Sequence, residues 1–68
     1  MPERLANKLK DRRTELGLTQ AELAERVGVT RKTVNTVENG VFTPSATLAI
    51  KLAKALELSL EQLFWIER

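Results

Sequence analysis

Only three residues, Gly28 to Thr30, separate two amphipathic segments, and this short connection limits the fold more than any other feature of the sequence. A chain that ends a helix and turns at once usually needs a positive φ, which costs glycine little, so Gly28 suits the end of the first segment. The Thr30 hydroxyl can cap the N-terminus of the segment that follows. Two helices joined by so short a corner must cross steeply.

Caps and glycines mark the ends of the first two helices. A helix is expected from about residue 2 to 16, since three leucines share one of its faces and a glycine follows it. Thr19 and Glu22 have the spacing of a capping box, in which each side chain accepts a hydrogen bond from the other residue's backbone N–H. The second helix is therefore expected to begin at Thr19 and to end at Gly28.

The second half of the chain carries signals of the same kind. A third helix is expected over residues 30 to about 39, and Ser45 caps a fourth helix over roughly residues 46 to 56. Ser59 and Gln62 form another capping box, which opens a fifth helix that continues through the C-terminal apolar residues. No segment alternates apolar and polar residues between turn residues, so no strand is expected. The pattern predicts an all-α, compact domain of five helices.

Length and composition exclude several classes of protein. At 68 residues the chain is expected to form one domain, residues 1–68. It contains no cysteine and no histidine, so neither a disulfide nor a metal site built from these residues can form. No apolar run approaches membrane-spanning length and no signal peptide opens the chain, so we expect a cytoplasmic protein that does not enter a membrane.

Charge is unevenly distributed along the chain, although the net charge is only +2. Residues 57–68 hold three glutamates against one arginine, so the remainder of the chain is its basic part. A small protein with one basic end can approach a polyanion in a fixed orientation. An ordinary solvated surface explains the same distribution, so charge alone leaves both interpretations open.

The third helix has a thin apolar side and a broad polar side. Val34 and Val37 face inward when the helix is drawn at 3.6 residues per turn. The opposite side carries Arg31, Lys32, Asn35, Thr36 and Asn39. Arginine and lysine can donate to guanine, asparagine can pair with adenine, and a threonine methyl can touch that of thymine. Together with the short corner before it, this helix predicts a helix-turn-helix that reads the DNA major groove. The alternative is that its polar side is only an ordinary solvent-exposed surface.

Two long stretches of the sequence resemble the XRE-type family, the phage repressor and Cro helix-turn-helix proteins. Residues 18–40 read LTQAELAERVGVTRKTVNTVENG, and residues 43–64 read TPSATLAIKLAKALELSLEQLF. The resemblance implies a lambda-repressor-like DNA-binding domain whose helix-turn-helix spans about residues 20–39. It also implies a transcriptional regulator that binds double-stranded DNA and is therefore associated with the nucleoid.

The resemblance also implies roles for individual residues. The positions that match DNA-contacting positions of the family are Gln20, Thr30, Arg31, Lys32, Asn35, Thr36, Asn39 and Arg13. In relatives the basic residue at position 13 pairs with the acid at position 38, so an Arg13–Glu38 ion pair is expected and the role of Arg13 is mixed. Two positions depart from the family pattern. Arg12 replaces a frequent leucine and is expected to extend its head toward solvent or phosphate, and Glu57 stands where glycine is frequent and a left-handed turn is expected.

The C-terminal segment, about residues 59–68, is expected to form a dimer interface. Phe64, Trp65 and Ile66 cannot all be buried by so small a chain, and Ile50 lies on the outer side of the fourth helix. We therefore expect a two-fold homodimer built on these four residues, which would read a palindromic operator with half-sites one turn apart. The alternative is that Trp65 folds back over its own core.

Two other classes of function compete with the DNA-binding regulator. One is a protein-interaction helical bundle, such as an antitoxin-like partner-binding module, with weak or no specific DNA binding. The other is an enzyme, which is poorly supported because the chain has no histidine, cysteine or tyrosine and no glycine-rich phosphate loop. No cofactor is expected, and so short a chain leaves no room for a separate domain that binds a small-molecule ligand.

Overall fold

The computed structural model describes residues 2–68, which form five helices and two short strands. The elements are β1 (Arg4–Asn7), α1 (Leu9–Glu15), α2 (Gln20–Val27), α3 (Arg31–Glu38), α4 (Ala46–Ala55), α5 (Leu60–Leu63) and β2 (Phe64–Glu67). The five-helix architecture is as expected from the caps, but the first helix begins later and the fifth ends earlier than the sequence predicts. In the described part of the chain, none of these helices is long and apolar enough to cross a membrane.

The two strands correct the sequence-based prediction, which had residues 2–8 and 64–66 in helices. β1 and β2 pair antiparallel, with Arg4 opposite Glu67 and Asn7 opposite Phe64. The first helix begins only after Asn7, because the side-chain oxygen of Asn7 accepts the backbone N–H of Leu9 at 3.0 Å. The Asn7 amide nitrogen also donates to the carbonyl of Val37 at 3.1 Å, which ties β1 to the end of α3.

The core lies between the helices and the inner face of the sheet. Its largest fully buried side chains are Leu9, Leu23, Leu52, Leu56, Leu63, Val34 and Val37. Phe64 joins them with an exposed fraction of only 7%. The side chain of Phe64, which was expected at a dimer interface, is turned inward by the strand, while Trp65 and Ile66 stay exposed.

Local caps hold the helix ends as the sequence predicts. Both capping boxes are present: the Thr19 hydroxyl accepts the N–H of Glu22, and Ser59 does the same for Gln62. Glu57 has a φ of 60°, which confirms the left-handed turn expected between α4 and α5.

Arg12 contacts another helix instead of solvent or phosphate. Its Nε donates to the carbonyl of Leu56 at 2.8 Å, and its side chain is 25% exposed. Leu56 is the C-cap of α4, so a positive charge here satisfies a free carbonyl and complements the helix dipole. The side chain is half-buried, as expected. Its guanidinium, however, bonds to Leu56, whereas the sequence predicted that it would extend toward solvent or phosphate.

Candidate nucleic-acid interface

The turn between α2 and α3 is held by backbone hydrogen bonds on both sides of Gly28. Gly28 has a φ of 76°, in the left-handed region, and the N–H of Val29 donates to the carbonyl of Ala24 at 3.0 Å. The Thr30 side chain then accepts the N–H of Thr33, as a cap of α3 should. The corner expected at residues 28–30 is thus present, and it fixes where α3 begins.

Helix α3 is anchored by two valines and turns its polar side outward. Val34 and Val37 are each 1% exposed and belong to the core. Arg31, Lys32, Asn35 and Asn39 are exposed, and Thr36 is half-buried. The Thr36 hydroxyl donates to the carbonyl of Thr33 at 2.9 Å, so its methyl group is held in one orientation. The structure therefore places the five predicted side chains on α3 and its C-cap and leaves four of them exposed.

Backbone hydrogen bonds also hold the C-terminal end of α3. The backbone N–H groups of Val41 and Phe42 both donate to the carbonyl of Thr36, at 2.9 and 3.1 Å. On the helix surface, the amide nitrogen of Asn39 donates to the side-chain oxygen of Asn35 at 3.3 Å. Each asparagine keeps free hydrogen-bonding groups after this contact, and the pair is partly oriented before any ligand arrives.

A buried ionic cluster joins α3 to the two helices before it. Arg13 Nε lies 2.6 Å from Glu38 Oε2, and the two side chains are 13% and 3% exposed, so the expected ion pair is confirmed. Arg13 Nη1 also donates to the carbonyl of Leu18 at 2.8 Å, and Gln20 Nε2 donates to Glu38 Oε1 at 3.0 Å. Glu38 thus receives donors from α1 and from the first residue of α2, which fixes α3 relative to both.

This cluster decides what Gln20 and Arg13 present at the surface. The side-chain nitrogen of Gln20 has two hydrogens, and after the bond to Glu38 one remains for a phosphate or a base. Arg13 lies mostly inside, and its guanidinium is engaged by Glu38 and Leu18. Little of the Arg13 side chain therefore remains free to contact DNA.

The rest of the interface carries few acidic groups. Glu38 is neutralised by Arg13, and Glu22 lies in the first turn of α2, where its carboxylate accepts the N–H of Thr19 at 2.9 Å. That backbone hydrogen bond, with a second from the Thr19 side chain, lowers the pKa of Glu22 below its usual value. Over residues 2–68, no group of three or more acidic, histidine or cysteine side chains is placed to hold a metal ion.

Two features of this region were not predicted from the sequence. The first is Asn7, which links β1 to the last turn of α3; an asparagine two residues before a helix start was its available signal. The second is the exposed loop after α3, where Val41 is 78% and Phe42 48% exposed. Its residues lie between the third and fourth helices expected from the sequence.

An outward polar helix, set on a tight turn and locked at both ends, defines a helix-turn-helix protein of the DNA-binding class. The chain belongs to the helix-turn-helix family, whose model matches residues 9–63. It is accordingly an XRE-type, DNA-binding transcriptional regulator, as the sequence resemblance implied. This family is not a class of enzymes.

Relatives and solved structures agree with this assignment. The chain is 44% identical over 63 residues to the uncharacterized HTH-type transcriptional regulator YgzD of Bacillus subtilis. The matched residues are 93% of this chain and 96% of YgzD. The restriction-modification controller protein C.AhdI from Aeromonas hydrophila superposes with a TM-score of 0.77 at 39% identity, over 82% of this chain and 81% of that one. The P22 c2 repressor protein in complex with a synthetic operator gives a TM-score of 0.77 at 30% identity, over 79% and 82%.

Proposed function

We propose that the protein binds double-stranded DNA sequence-specifically, as a homodimeric transcriptional regulator whose helix α3 enters the major groove. The observation that carries this proposal is the outward face of α3, which offers charged and amide side chains while its two valines are buried. A helix whose polar side served only for solubility would not need hydrogen bonds that fix its position at both ends. Acting on chromosomal DNA, the protein would work in the cytoplasm, at the nucleoid.

Base contacts are assigned to the exposed side chains of α3. Arg31 and Lys32 lie in its first turn, where they can donate to guanine, and Asn35 one turn later can pair with adenine. The methyl group of Thr36, held by the hydroxyl bond to Thr33, can contact that of thymine.

Phosphate contacts are assigned to the edges of the same surface. Gln20 opens α2, where free backbone N–H groups and the helix dipole favour an anion, and its side-chain nitrogen keeps one hydrogen after the bond to Glu38. Thr30 and Asn39 flank α3 at its two ends and are both exposed. Arg13 acts mainly by holding Glu38 in place. The P22 c2 repressor has a similar fold and was solved in complex with a synthetic operator, which supports DNA binding by this chain.

The homodimer is inferred from large apolar side chains that the monomer leaves in solvent. Ile50 is 45%, Trp65 40% and Ile66 60% exposed, which disfavours a monomer in which Trp65 simply covers its own core. A two-fold dimer would carry two copies of α3 about 34 Å apart, which matches half-sites one turn apart in a palindrome.

The decisive experiment selects bound sequences from random duplex DNA at two salt concentrations. We expect an enriched palindrome at both. Affinity that falls with salt without any enriched sequence would show non-specific binding only, and would contradict the proposal.

A pair of arginine variants tests the assignment of α3. Arg31→Ala is expected to cost about 1–3 kcal/mol of binding free energy and to relax specificity at one position of the selected site. Arg26→Ala is the matched control, because Arg26 is also exposed but lies in α2, beside Lys51 and Lys54. It should weaken binding to all sequences slightly and equally. If the two variants behave alike, the protein-interaction bundle becomes the better interpretation.

A further inference from the structure

Helix α3 has little apolar surface with which to hold its own position. Of its eight residues, only Val34 and Val37 are buried. Its start is fixed by the turn at residues 28–30, but its far end lies about 12 Å along the helix axis, at about 1.5 Å per residue. A tilt of about 5° about the start would therefore move the far end by about 1 Å. Hydrogen bonds span a range of only about 0.5 Å in donor–acceptor distance, so such a tilt would remove base contacts near that end.

Hydrogen bonds from three other elements reach the last two residues of α3. The Glu38 carboxylate accepts bonds from Arg13 of α1 and from Gln20 of α2. The carbonyl of the preceding residue, Val37, accepts a side-chain N–H of Asn7, the last residue of β1, at 3.1 Å. Asn7 thus adds a contact from the sheet that the ionic cluster around Glu38 does not supply.

The amide group of Asn7 is itself held in place by neighbouring residues. Its Oδ1 accepts the backbone N–H of Leu9 at 3.0 Å, while Nδ2 of the same amide donates to α3. Its backbone lies opposite Phe64 in the sheet, and the side chain of Phe64 is buried in the core. The N–H of Lys8 continues this pairing to the carbonyl of Leu63 at 3.1 Å. The amide therefore joins the end of α3 to a segment that is anchored in the core.

We propose that Asn7 is a positioning residue for the reading of DNA, because its amide sets the place of the C-terminal end of α3. The position of that end decides which bases Asn35 and Thr36 can reach. The inference rests on the proposed function and adds to it a residue outside the helix-turn-helix. Arg31 is the first residue of α3, so a tilt about the turn displaces it least. Loss of the Asn7 contact therefore relaxes base preference at one end of the half-site only.

Two substitutions remove the donor of Asn7 and keep an acceptor for Leu9. Asn7→Asp has the same shape, and its carboxylate can still accept the N–H of Leu9 at the start of α1, where a negative charge is favourable. It cannot donate to Val37. Asn7→Ser is neutral and keeps a side-chain oxygen, but its hydroxyl is one bond shorter than the amide nitrogen and does not reach Val37. An effect common to both variants comes from the lost donor, whereas an effect of the added charge appears only in Asn7→Asp.

Selection from random duplex DNA, followed by affinities for single-base changes in the selected site, tests the proposal. Arg31→Ala and Asn35→Ala first identify the base pairs that depend on each end of α3. Both Asn7 variants should lose about tenfold of the discrimination at the base pairs that depend on Asn35, and keep it at those that depend on Arg31. Ser59→Ala is the control, since it removes the cap of α5 and leaves the contacts of Asn7 and Glu38 in place. A purely structural role would make the Asn7 variants behave as Ser59→Ala does, with discrimination kept at both ends.

Hydrogen exchange gives a second measurement, without DNA. The backbone N–H groups of Val41 and Phe42 bond to the carbonyl of Thr36 at the end of α3, and that of Val34 bonds near its start. In both Asn7 variants the first two should exchange about tenfold faster relative to Val34, because local opening is eased at one end only. Exchange that matches the wild-type protein in both variants would overturn the proposal.

The outcomes of the selection separate this inference from the proposed function. A selected site whose base preference is unchanged in both Asn7 variants would overturn the positioning role and leave the regulator standing. Preference relaxed equally at both ends of α3 would do the same, since it would show a general loosening of the domain. A wild-type protein that enriches no sequence would overturn both.

Discussion

Glu38 shows how one side chain can serve both the stability of the domain and the geometry of its interface. Its side chain is 3% exposed, and its carboxylate accepts hydrogen bonds from Arg13 and Gln20. A buried charge is tolerated only when it is paired and hydrogen-bonded. Removing the partners of Glu38 should therefore lower the free energy of unfolding. The same bonds hold Gln20 at the start of α2, where we place a DNA contact.

The first prediction compares a buried ion pair with an exposed one. Arg13→Leu should lower the free energy of unfolding by about 3–5 kcal/mol, since it leaves the Glu38 carboxylate buried without its partner. Arg4→Leu breaks the pair with Glu67, whose side chains are 77% and 44% exposed, and should cost at most about 1 kcal/mol. Urea unfolding followed by circular dichroism measures both. Equal losses would show that burial does not govern the Arg13–Glu38 pair.

A second prediction concerns the backbone at Glu57. Its φ of 60° is a conformation that glycine adopts at little cost, while other residues pay about 1–2 kcal/mol. Glu57→Gly should therefore raise the free energy of unfolding by about 1 kcal/mol, less the entropy that glycine adds to the unfolded chain. Glu61→Gly, within helix α5, should lower it by a similar amount. A destabilised Glu57→Gly variant would mean that the left-handed turn carries no strain.

The helices and the strands differ in how far the sequence determines them locally. Thr19, Thr30, Ser45 and Ser59 cap helices with side chains that bond within three residues, so the pattern can be recognised in the sequence. The sheet joins Arg4 to Glu67, and neither strand has an alternating pattern of its own. A pairing across almost the whole chain depends on the finished helical core, which explains why the strands were predicted as helix.

The same contrast holds for the candidate site. The outward face of α3 follows from its helical period and was predicted residue by residue. The engagement of Arg13 by Leu18, the Gln20–Glu38 bond and the turn of Phe64 into the core depend on how separate elements meet. Such contacts require the assembled fold, so no local pattern could specify them.

The sheet should respond to acid through Glu67. Hydrogen bonding from Arg4, and then the charge of the same guanidinium, lowers the pKa of Glu67 below its usual value. A carboxylate with a depressed folded-state pKa contributes stability above its unfolded pKa, and this contribution is lost as pH falls through the folded pKa. NMR titration of the Glu67 carboxyl should show the low pKa in the native protein and its return toward the usual value in Arg4→Gln. An unchanged pKa in that variant would exclude Arg4 as the cause.

At the scale of the whole molecule, the arrangement of two reading helices matters more than either helix alone. One chain can read only the few base pairs that α3 spans, and its large exposed apolar residues lie outside α3, in α4, in α5, in β2 and in the loop between α3 and α4. A dimer joined through such residues would bring two reading surfaces to one side of the duplex. Specificity would then depend on the fixed distance between them, and not only on the side chains of α3.

The spacing of the half-sites is therefore the last prediction. Inserting five base pairs at the centre of the selected palindrome turns one half-site by about half a turn, onto the opposite face of the duplex. A dimer that holds its two α3 helices at a fixed distance cannot follow, so affinity should fall toward the non-specific level, by a factor of about 10³ or more. The control carries the same five base pairs outside the palindrome and should bind as the original site does. Equal affinity for both duplexes, measured at one salt concentration, would mean that each chain binds its half-site independently.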